Sequence, residues 1–413
     1  MRNPFAGLTT RGKCLLTAGA ATTICAAALN ERDLLRIAAF LILLPLLVLS
    51  YSGLNRIRVA ARRKPQPARI TAGERGEVGL VLWRTGPLPT PRLLLDDDTS
   101  DIAATQARFV VSRVPRHRGA ALHYPIRPEG RGTHRIGPLR ATITDPFGLT
   151  EFTHVLCEPD ELLVLPRAEA LHDIPSAVSG NGADDGPAQG RPGHGAPDVI
   201  LRQYRQGDDL RKVHWPSTAR HDEIMVRLEE QDAASTITVL LDRRAVGHSG
   251  PDPKCSLDWA VSFVASTGLH LSSNGHPVHI VDENGESLGE LARHAGQTER
   301  DHLLRTLAQV RPSQRGTIDT AGWHGSTQRL IAVLGMVDHD TARALTRQRT
   351  QRQENLAVLL DNGTPSEAEN AARILGAAGW WTVAATSRTA VSRIWARLCT
   401  PAGQASAPTG DFR

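Results

Sequence analysis

The stretch VILRQYRQGDDLRKVHWPSTARHDEIMVRLEE, residues 199–230, decides how the rest of the chain is divided. It packs glycine, acidic, basic and aromatic residues more densely than an ordinary strand or surface helix requires. Gly207 followed by Asp208 and Asp209 predicts a turn, because glycine accepts positive φ and aspartate side chains bond nearby backbone amides. We therefore treat residues 199–235 as a segment of its own between two folded regions.

The charges of this segment allow two interpretations. Asp208 or Asp209 can accept hydrogen bonds from Arg211 or Arg220, because a guanidinium offers a planar fork to a carboxylate. In the first interpretation these groups satisfy one another and brace one domain against the next. In the second they form a docking surface, since exposed Trp and Arg, here with Trp215, dominate binding hot spots. A catalytic role is the least favoured.

The segment also carries a family resemblance. The pattern R-x-Y-x-x-G-D-x-x-R-x-V-H-W-x-x-x-A-R, followed by I-x-V-R, resembles the signature of the bacterial family called domain of unknown function 58. The resemblance implies a domain related to von Willebrand factor A domains and association with MoxR-type AAA+ ATPases. The candidate partner-binding or interdomain residues are Arg202, Tyr204, Gly207, Asp208, Arg211, His214, Trp215, Ala219, Arg220 and Arg227.

Length and composition set the broad class. A chain of 413 residues has room for two or three domains. The net charge of +5 is small, and no lysine-rich run is interleaved with aromatic residues, so nucleic-acid binding is not expected. The five cysteines lack C-x-x-C spacing, which predicts a reducing compartment and neither a disulfide framework nor a zinc site. No cofactor is expected.

Residues 1–64 predict a transmembrane hairpin with basic flanks. The apolar stretch 34–54 matches the thickness of a bilayer core, and the stretch 14–29 is shorter and is open to a second interpretation as a cleaved signal peptide. Basic residues precede the first stretch and follow the second, and positive charge favours the cytoplasmic side. On either account we expect an inner-membrane protein with a cytoplasmic body.

Residues 65–168 predict a β-sandwich. Short apolar segments at 77–82, 107–112, 141–144 and 162–165 are separated by Gly, Pro and Asp clusters without helical periodicity. The stretch RGTHRIGPLRATITDPFGL, residues 131–149, resembles a second pattern of the same family. There we expect Phe147 and Leu149 to anchor a corner in the core.

The remainder predicts a flexible linker at 169–198, an α/β domain at 236–400 and a disordered tail at 401–413. Residues 224–229 are expected to form a hairpin with the first strand of this domain. The predicted strands are residues 236–242, 278–282, 330–335, 356–361 and 381–384, and the predicted helices are 256–273, 299–310, 340–351 and 365–378. Alternating strands and helices of this kind predict a doubly wound, von Willebrand factor A-like sheet.

Asp242 follows the first predicted strand, at the end where such folds bind ligands. The family resemblance implies a D-x-S-x-S metal motif there, but this chain reads DRRAV, so both serines are missing and Arg244 brings a positive charge to the site. A hard divalent cation needs several oxygen ligands and is repelled by like charge. We expect Asp242, a lone weak candidate for a metal ligand, to pair with an arginine instead.

Other possible sites have ordinary explanations. Asp338 and Asp340 follow a strand and are expected to cap the next helix and interact favourably with its dipole. The sequence around Ser249 is an incomplete G-x-S-x-G elbow, and His214 and His221 lack a third zinc ligand at recognisable spacing. We therefore expect a noncatalytic, membrane-anchored adaptor or scaffold. The alternatives are a metal-dependent binding domain with a degenerate cation site and, less favoured, a hydrolase.

Overall fold

The computed structural model describes most of the chain and divides it into two compact units, Met1–Pro166 and Arg167–Arg413. The described residues are 7–54, 59–67, 69–86, 90, 92–100, 102, 106–115, 119–179, 200–203, 218, 225–228, 236–248, 253–319, 329–347, 354–361 and 365–400. The predicted tail and residues 180–198 of the predicted linker lie outside them.

The first unit opens with two apolar helices, α1 Thr10–Leu29 and α2 Arg32–Leu54. Both are long and apolar enough to cross a membrane, and twenty helical residues span about 30 Å. The helices pack through small residues: a Cβ on Gly19 would lie 2.6 Å from Ile42 Cγ1, and Ala26 and Ala38 are each 1% exposed. Close approach at small residues is typical of helix pairs in membranes.

Ten strands follow among the described residues of this unit. They are β1 Val59–Gln66, β2 Ile70–Thr71, β3 Gly76–Arg84, β4 Leu93–Asp97, β5 Ala107–Val111, β6 Ala120–Ile126, β7 Gly132–Ile136, β8 Leu139–Thr144, β9 Glu151–Cys157 and β10 Asp160–Leu165. They form sheets in the orders β1-β3-β6, β2-β10-β7 and β5-β4-β8-β9. Every pairing is antiparallel except that of β2 with β10. The predicted β-rich region is thus confirmed as antiparallel sheets, whose inward side chains share one core.

At the corner formed by residues 145–149, the prediction is correct for one of the two residues expected in the core. Leu149 is buried, as expected, but Phe147 is 62% exposed, so the prediction that it anchors the core is wrong. The Asp145 carboxylate accepts hydrogen bonds from the backbone N–H of Phe147 and from both the N–H and the hydroxyl of Thr150. These local bonds, rather than aromatic packing, hold the turn.

The second unit contains a six-stranded sheet in the order β15-β14-β13-β16-β17-β18, with only β15 antiparallel. Its described strands are β11 Ile200–Gln203, β12 Met225–Leu228, β13 Ile237–Leu241, β14 Val278–Asp282, β15 Ser287–Leu291, β16 Arg329–Leu334, β17 Glu354–Leu360 and β18 Trp381–Ala385. Its described helices are α3 Ser176–Ser179, α4 Pro253–Ser273, α5 Gln297–Ala308, α6 His339–Arg347, α7 Pro365–Ala377 and α8 Val391–Cys399. The predicted mostly parallel α/β sheet is confirmed, whereas β15 and α8 were not predicted.

The predicted hairpin between residues 224–229 and the first strand of the sheet is wrong. β12 pairs antiparallel with β11, so that Arg202 lies opposite Val226 and Leu201 opposite Arg227. β13 is flanked on both sides by parallel strands, β14 and β16. Since both of its edges are occupied, β13 has no free edge for a hairpin partner.

The residues just before α3, together with α3 itself, belong to the core of the second unit. Leu171 and Val178 are buried in it, and the indole N–H of Trp395 donates to the carbonyl of His172 at 3.0 Å. Arg329 Nη1 donates to the carbonyl of Val178 at 2.6 Å. Residues 169–179, the start of the predicted linker, therefore pack on the α/β fold instead of crossing solvent.

Candidate functional site

The candidate site is the carboxyl end of β13 and β16, the first and fourth strands of the main sheet. The strand order, 3-2-1-4-5-6, places these two strands side by side, so that the chain leaves them in opposite directions. Open α/β sheets bind ligands in the crevice at this point. Asp242 follows β13 and Gly335 follows β16, so both residues lie at the position where a ligand is expected.

Asp242 is fully buried and its carboxylate is taken up by nearby donors. Oδ1 accepts from Arg244 Nε at 2.9 Å and from the Arg244 backbone N–H at 3.0 Å, and Oδ2 accepts from Arg244 Nη2 at 2.8 Å. The backbone N–H of Gly335 donates to Oδ2 at 3.2 Å. The prediction that Asp242 pairs with an arginine is confirmed, and the partner is Arg244.

The guanidinium of Arg244 lies directly against the Asp242 carboxylate. It is 2% exposed, and it also donates to the carbonyls of Gly316 at 3.1 Å and Met336 at 3.3 Å. Burial opposes its charged form, but the hydrogen bonds and negative charge of Asp242 raise the pKa of Arg244 above its ordinary value. A permanent positive charge is therefore fixed at the switch point.

The loops on either side of this ion pair leave no space between their backbones. A Cβ on Gly335 would lie 2.2 Å from the carbonyl oxygen of Gly247, and that oxygen accepts from the Met336 N–H at 2.7 Å. A Cβ on Gly247 would lie 3.1 Å from Asp242 Oδ2. Glycine at position 335 is required by this close approach, which brings the two loop backbones together beside Asp242.

A second ion pair lies at the end of the adjacent strand. Arg243 Nη2 contacts Asp282, the last residue of β14, and Arg243 Nε donates to Glu283 Oε2 at 3.1 Å. Both carboxylates are fully buried, whereas the Arg243 side chain is 23% exposed. Consecutive arginines thus neutralise the acidic groups at the ends of two neighbouring strands.

His248 and Ser256 form a buried pair beneath the same loop. His248 Nε2 lies 2.7 Å from the carbonyl of Asp242, and Nδ1 lies 2.9 Å from Ser256 Oγ. Because a carbonyl only accepts, Nε2 donates to Asp242, and Nδ1 forms the second hydrogen bond with the Ser256 hydroxyl. Each of the two residues is 2% exposed. Burial keeps the hydroxyl from a substrate, and the pair serves to hold the loop onto α4.

Asp338 acts as predicted, as the cap of α6. Its carboxylate accepts from the Thr341 N–H at 2.9 Å, and its carbonyl accepts from the Ala342 N–H at 2.9 Å. The hydrogen bonds from Thr341 hold the pKa of Asp338 below its ordinary value, with the charge of Arg244 adding to the shift. Within the described residues, no group of three or more His, Cys, Asp or Glu side chains is arranged to hold a metal ion.

Most of the signature residues fall outside the described part of the chain. The backbones of Arg202 and Arg227 are in β11 and β12, which pair with each other. The others are not described: Tyr204, Gly207, Asp208, Arg211, His214, Trp215, Ala219 and Arg220. Their roles as a brace or a docking surface remain predictions.

Sequence reasoning missed several residues that close the switch point. Gly335 bonds the Asp242 carboxylate from a loop 93 positions away. His248 bonds the Asp242 carbonyl, and no recognisable motif surrounds its ring. The consecutive arginines after β13 were the available signal, and they identified the charge but not its contacts with Gly316 and Met336.

Several uncharacterized proteins are similar to this chain. The uncharacterized protein YeaD of Bacillus subtilis (strain 168) is 24% identical over 258 residues, which cover 60% of this chain and 61% of that protein. The uncharacterized protein Rv1480 of Mycobacterium tuberculosis is 26% identical over 125 residues, 30% of this chain and 39% of that protein. The chain thus spans less than two thirds of the length of these relatives.

Among solved structures, the CARDB domain of the PF1109 protein from Pyrococcus furiosus matches 26% of this chain and 84% of that chain. The identity is 16% and the TM-score is 0.19, which is too low to bear on the fold. The family comparison is more informative, because its match begins at β11 and includes the switch point. Residues 200–365 match the model described as protein of unknown function DUF58, and this part of the chain belongs to that family.

Proposed function

We propose that this protein is a noncatalytic, membrane-anchored adaptor that presents its α/β unit to cytoplasmic protein partners. The observation that carries the proposal is the buried Asp242–Arg244 ion pair at the switch point. A guanidinium already occupies the position opposite the carboxylate, and the Gly247 and Gly335 backbones touch above it. A site that is filled in this way supports recognition by the outer protein surface rather than chemistry in a crevice.

The first unit supports the membrane anchor. The N–H of Thr9, which precedes α1, donates to the carbonyl of Leu149 at 2.9 Å, and α2 ends shortly before β1. The start of α1 and the end of α2 are therefore both close to the β-sheets, as a hairpin with its ends on one side of the membrane requires. The basic flanks favour the cytoplasmic side for those ends. We infer an inner-membrane protein whose β-sandwich and α/β body are cytoplasmic.

These contacts also bear on the first apolar stretch. Residues 7–9 pair with the segment after β8 through the Leu8–Thr150 bridge and the bond from the Glu151 N–H to the Gly7 carbonyl at 2.8 Å. Cleavage of α1 as a signal peptide would remove this added pairing. The contacts therefore favour retention of α1 as a membrane helix.

The partner class rests on the family resemblance. The doubly wound order of the main sheet is compatible with the von Willebrand factor A-like domain that the resemblance implies. A MoxR-type AAA+ ATPase is the partner we propose, with the signature segment as its contact. Trp215 and the signature arginines supply the residue types expected of a hot spot.

The test is affinity capture of the detergent-solubilised full chain in ATP and in ADP, with mass spectrometry of the bound proteins. The wild type is compared with the double variant His214→Ala/Arg220→Glu in the signature. Arg347→Glu, an exposed charge reversal in α6, serves as the matched control. We expect the wild type and the control to capture an AAA+ ATPase in a nucleotide-dependent manner, and the double variant to lose it.

Two results would count against the proposal. Capture of the same ATPase by a folded double variant would assign the signature to internal bracing and its partner contact to another surface. If neither the wild type nor the control retains an ATPase in either nucleotide, the adaptor function itself fails. The hydrolase alternative has less support, because the His248–Ser256 pair is buried.

A further inference from the structure

The turn at residues 145–149 holds an aromatic side chain in an exposed position. Phe147 is 62% exposed, although Leu149, two residues later, is 3% exposed. The Asp145 carboxylate accepts from the Phe147 N–H at 2.7 Å, and Gly148 has φ +68°, a conformation that favours glycine. The exposure of Phe147 is therefore built into a defined turn.

This turn is docked on the start of α1. The Thr9 N–H donates to the Leu149 carbonyl at 2.9 Å, and the Thr9 hydroxyl donates to the Gly148 carbonyl at 2.7 Å. A Cβ on Gly12 would lie 2.4 Å from the Leu149 carbonyl oxygen, so the first turn of α1 is in direct contact with this loop. Gly12 and Gly148 allow this close approach, and the carbonyls of Gly148 and Leu149 accept the bonds that hold the turn against the N-terminus of α1.

The position of the turn relative to the membrane follows from the geometry of α1. α1 begins at Thr10, and its apolar run begins at Cys14. At about 1.5 Å per residue this separation is roughly 6 Å along the helix axis. The polar layer on each side of a bilayer core is about 5–7 Å thick. When α1 crosses the membrane, the turn that contacts its first residues is at the level of the lipid headgroups.

We propose that Phe147 inserts into the headgroup layer of the leaflet that faces the β-sheets and anchors this unit against the membrane. The inference rests on the membrane anchor of the proposed function. The neighbouring charges fit anionic lipid: Arg11 and Lys13 are exposed, and Arg11 Nη1 would lie 3.5 Å from a Cβ on Gly148. An exposed aromatic ring beside cations is the composition of segments that lie in a membrane interface.

Continuity with α1 favours lipid over a protein as the occupant. The bonds of Thr9 hold the turn at the point where the helix enters the apolar layer, so any partner on Phe147 would compete with headgroups already present. Aromatic side chains are enriched at this level in membrane proteins because one part of the residue is apolar and the surroundings are wet.

The test uses Phe147→Trp in the full chain, reconstituted into vesicles of phosphatidylglycerol and phosphatidylethanolamine. The seven native tryptophans all lie at position 83 or later, outside α1 and α2, but Trp83 is partly exposed and pairs with Ala60, shortly after α2. Quenching by lipids brominated near the headgroup is therefore measured as the increase over the wild-type chain. Val155→Trp is the matched control. Val155 is 50% exposed in β9, about 13 Å along the strand from Glu151, which contacts Gly7.

We expect the tryptophan at position 147 to be quenched by shallow brominated lipids several-fold more than the one at position 155, with a blue-shifted emission. Resistance to carbonate extraction is measured on the same samples. Equal quenching of the two positions in carbonate-resistant protein would overturn the insertion of Phe147 and leave the anchor intact. Extraction of the wild type by carbonate would overturn both.

Discussion

Two buried arginine–aspartate pairs, one in each unit, have the same chemistry but different structural roles. Arg63 Nη2 lies 2.6 Å from Asp97 Oδ1, and both side chains are fully buried. Arg244 Nη2 lies 2.8 Å from Asp242 Oδ2 with almost the same burial. The first pair joins residues 34 positions apart in the sequence, whereas the second joins neighbours two positions apart.

The contacts around each arginine explain the difference. Arg63, on β1, also bonds Asp160 on β10 at 2.7 Å, and Asp97, on β4, accepts from Tyr124 on β6 at 2.7 Å. This network links all three sheets of the first unit. Burial opposes the charged form of Arg63, but the hydrogen bonds and negative charge of Asp97 raise the pKa of Arg63 above its ordinary value. Arg244 instead bonds groups at the carboxyl end of the α/β sheet.

A buried ion pair indicates function only through its location. A pair between distant strands joins separate sheets, whereas the local pair lies at the topological switch point, where open α/β sheets bind ligands. Desolvation makes both unfavourable to break, because the partner left behind is a buried, uncompensated charge. Substitutions at the two ion pairs, at Gly137 beside Arg63 and at the helix cap Asp338 test this difference between the two units.

The largest effect is expected for Arg63→Met. Removing the guanidinium leaves Asp97 charged and buried, which costs about 3–5 kcal/mol of unfolding free energy in the first unit. Arg62→Met, at an exposed position of the same strand, is the control and should change stability by less than about 0.5 kcal/mol. Pulse proteolysis in urea, with fragments assigned to each unit by mass spectrometry, measures both. Equal stability of the two variants would contradict the network.

Arg244→Met should destabilise the second unit by roughly 3 kcal/mol, at the lower end of the same range. The loss is smaller because Asp242 keeps the backbone donors of residues 244 and 335. The double variant Asp242→Asn/Arg244→Met removes both charges and should recover much of this loss. The same proteolysis assay measures the coupling, and a double variant no more stable than the single one would argue against a charge-based pair.

Gly137→Ala is expected to cost about 2–3 kcal/mol. Gly137 has φ +94°, and a Cβ would lie 2.4 Å from Nη2 of Arg63, which is pinned by Asp97. Gly73→Ala, at φ +82° with no atom within 4 Å of the new Cβ, isolates the backbone strain and should cost about 1 kcal/mol. Urea midpoints of the first unit compare the two. A Gly137 variant as stable as the Gly73 variant would mean that Arg63 is free to move.

The smallest effect is expected at the helix cap. Asp338→Ala should lower the stability of the second unit by about 1 kcal/mol, and Asp338→Asn should retain most of it. Because hydrogen bonding from Thr341 lowers the pKa of Asp338, its charge contributes stability above the unfolded pKa that is lost as pH falls through the folded one. The gap between wild type and Asp338→Asn should therefore close in acid. A gap independent of pH would exclude this charge as its cause.

Much of the second unit was predictable because apolar runs bounded by turns encode buried strands. TITVLLD and VHIVD gave β13 and β14 within one or two residues. β15, the polar segment SLGEL at the sheet edge, has no such run, because an edge strand is only partly buried. The pairing of β12 could not be predicted either, because its partner, β11, lies about 25 residues earlier in the sequence.

The site was predictable in its charge but not in its geometry. The sequence DRR after a buried strand indicates that Asp242 meets an arginine, and the lost serines exclude the implied metal motif. Which arginine does so depends on Gly335, 93 positions away, and on the packing of its loop against Gly247. Phe147 shows the opposite case, in which hydrophobicity predicted burial and the Asp145 turn determined exposure.

We propose that the α/β unit recognises its partner without a cation at the switch point. Titration calorimetry of the purified full chain with Mg²⁺ and Mn²⁺, beside Asp242→Asn as the reference, tests it most directly. The Asp242–Arg244 pair predicts no saturable heat up to millimolar cation and the same melting temperature with or without it. Binding of one cation per wild-type chain that is lost in Asp242→Asn would contradict the account and support a metal-dependent binding domain.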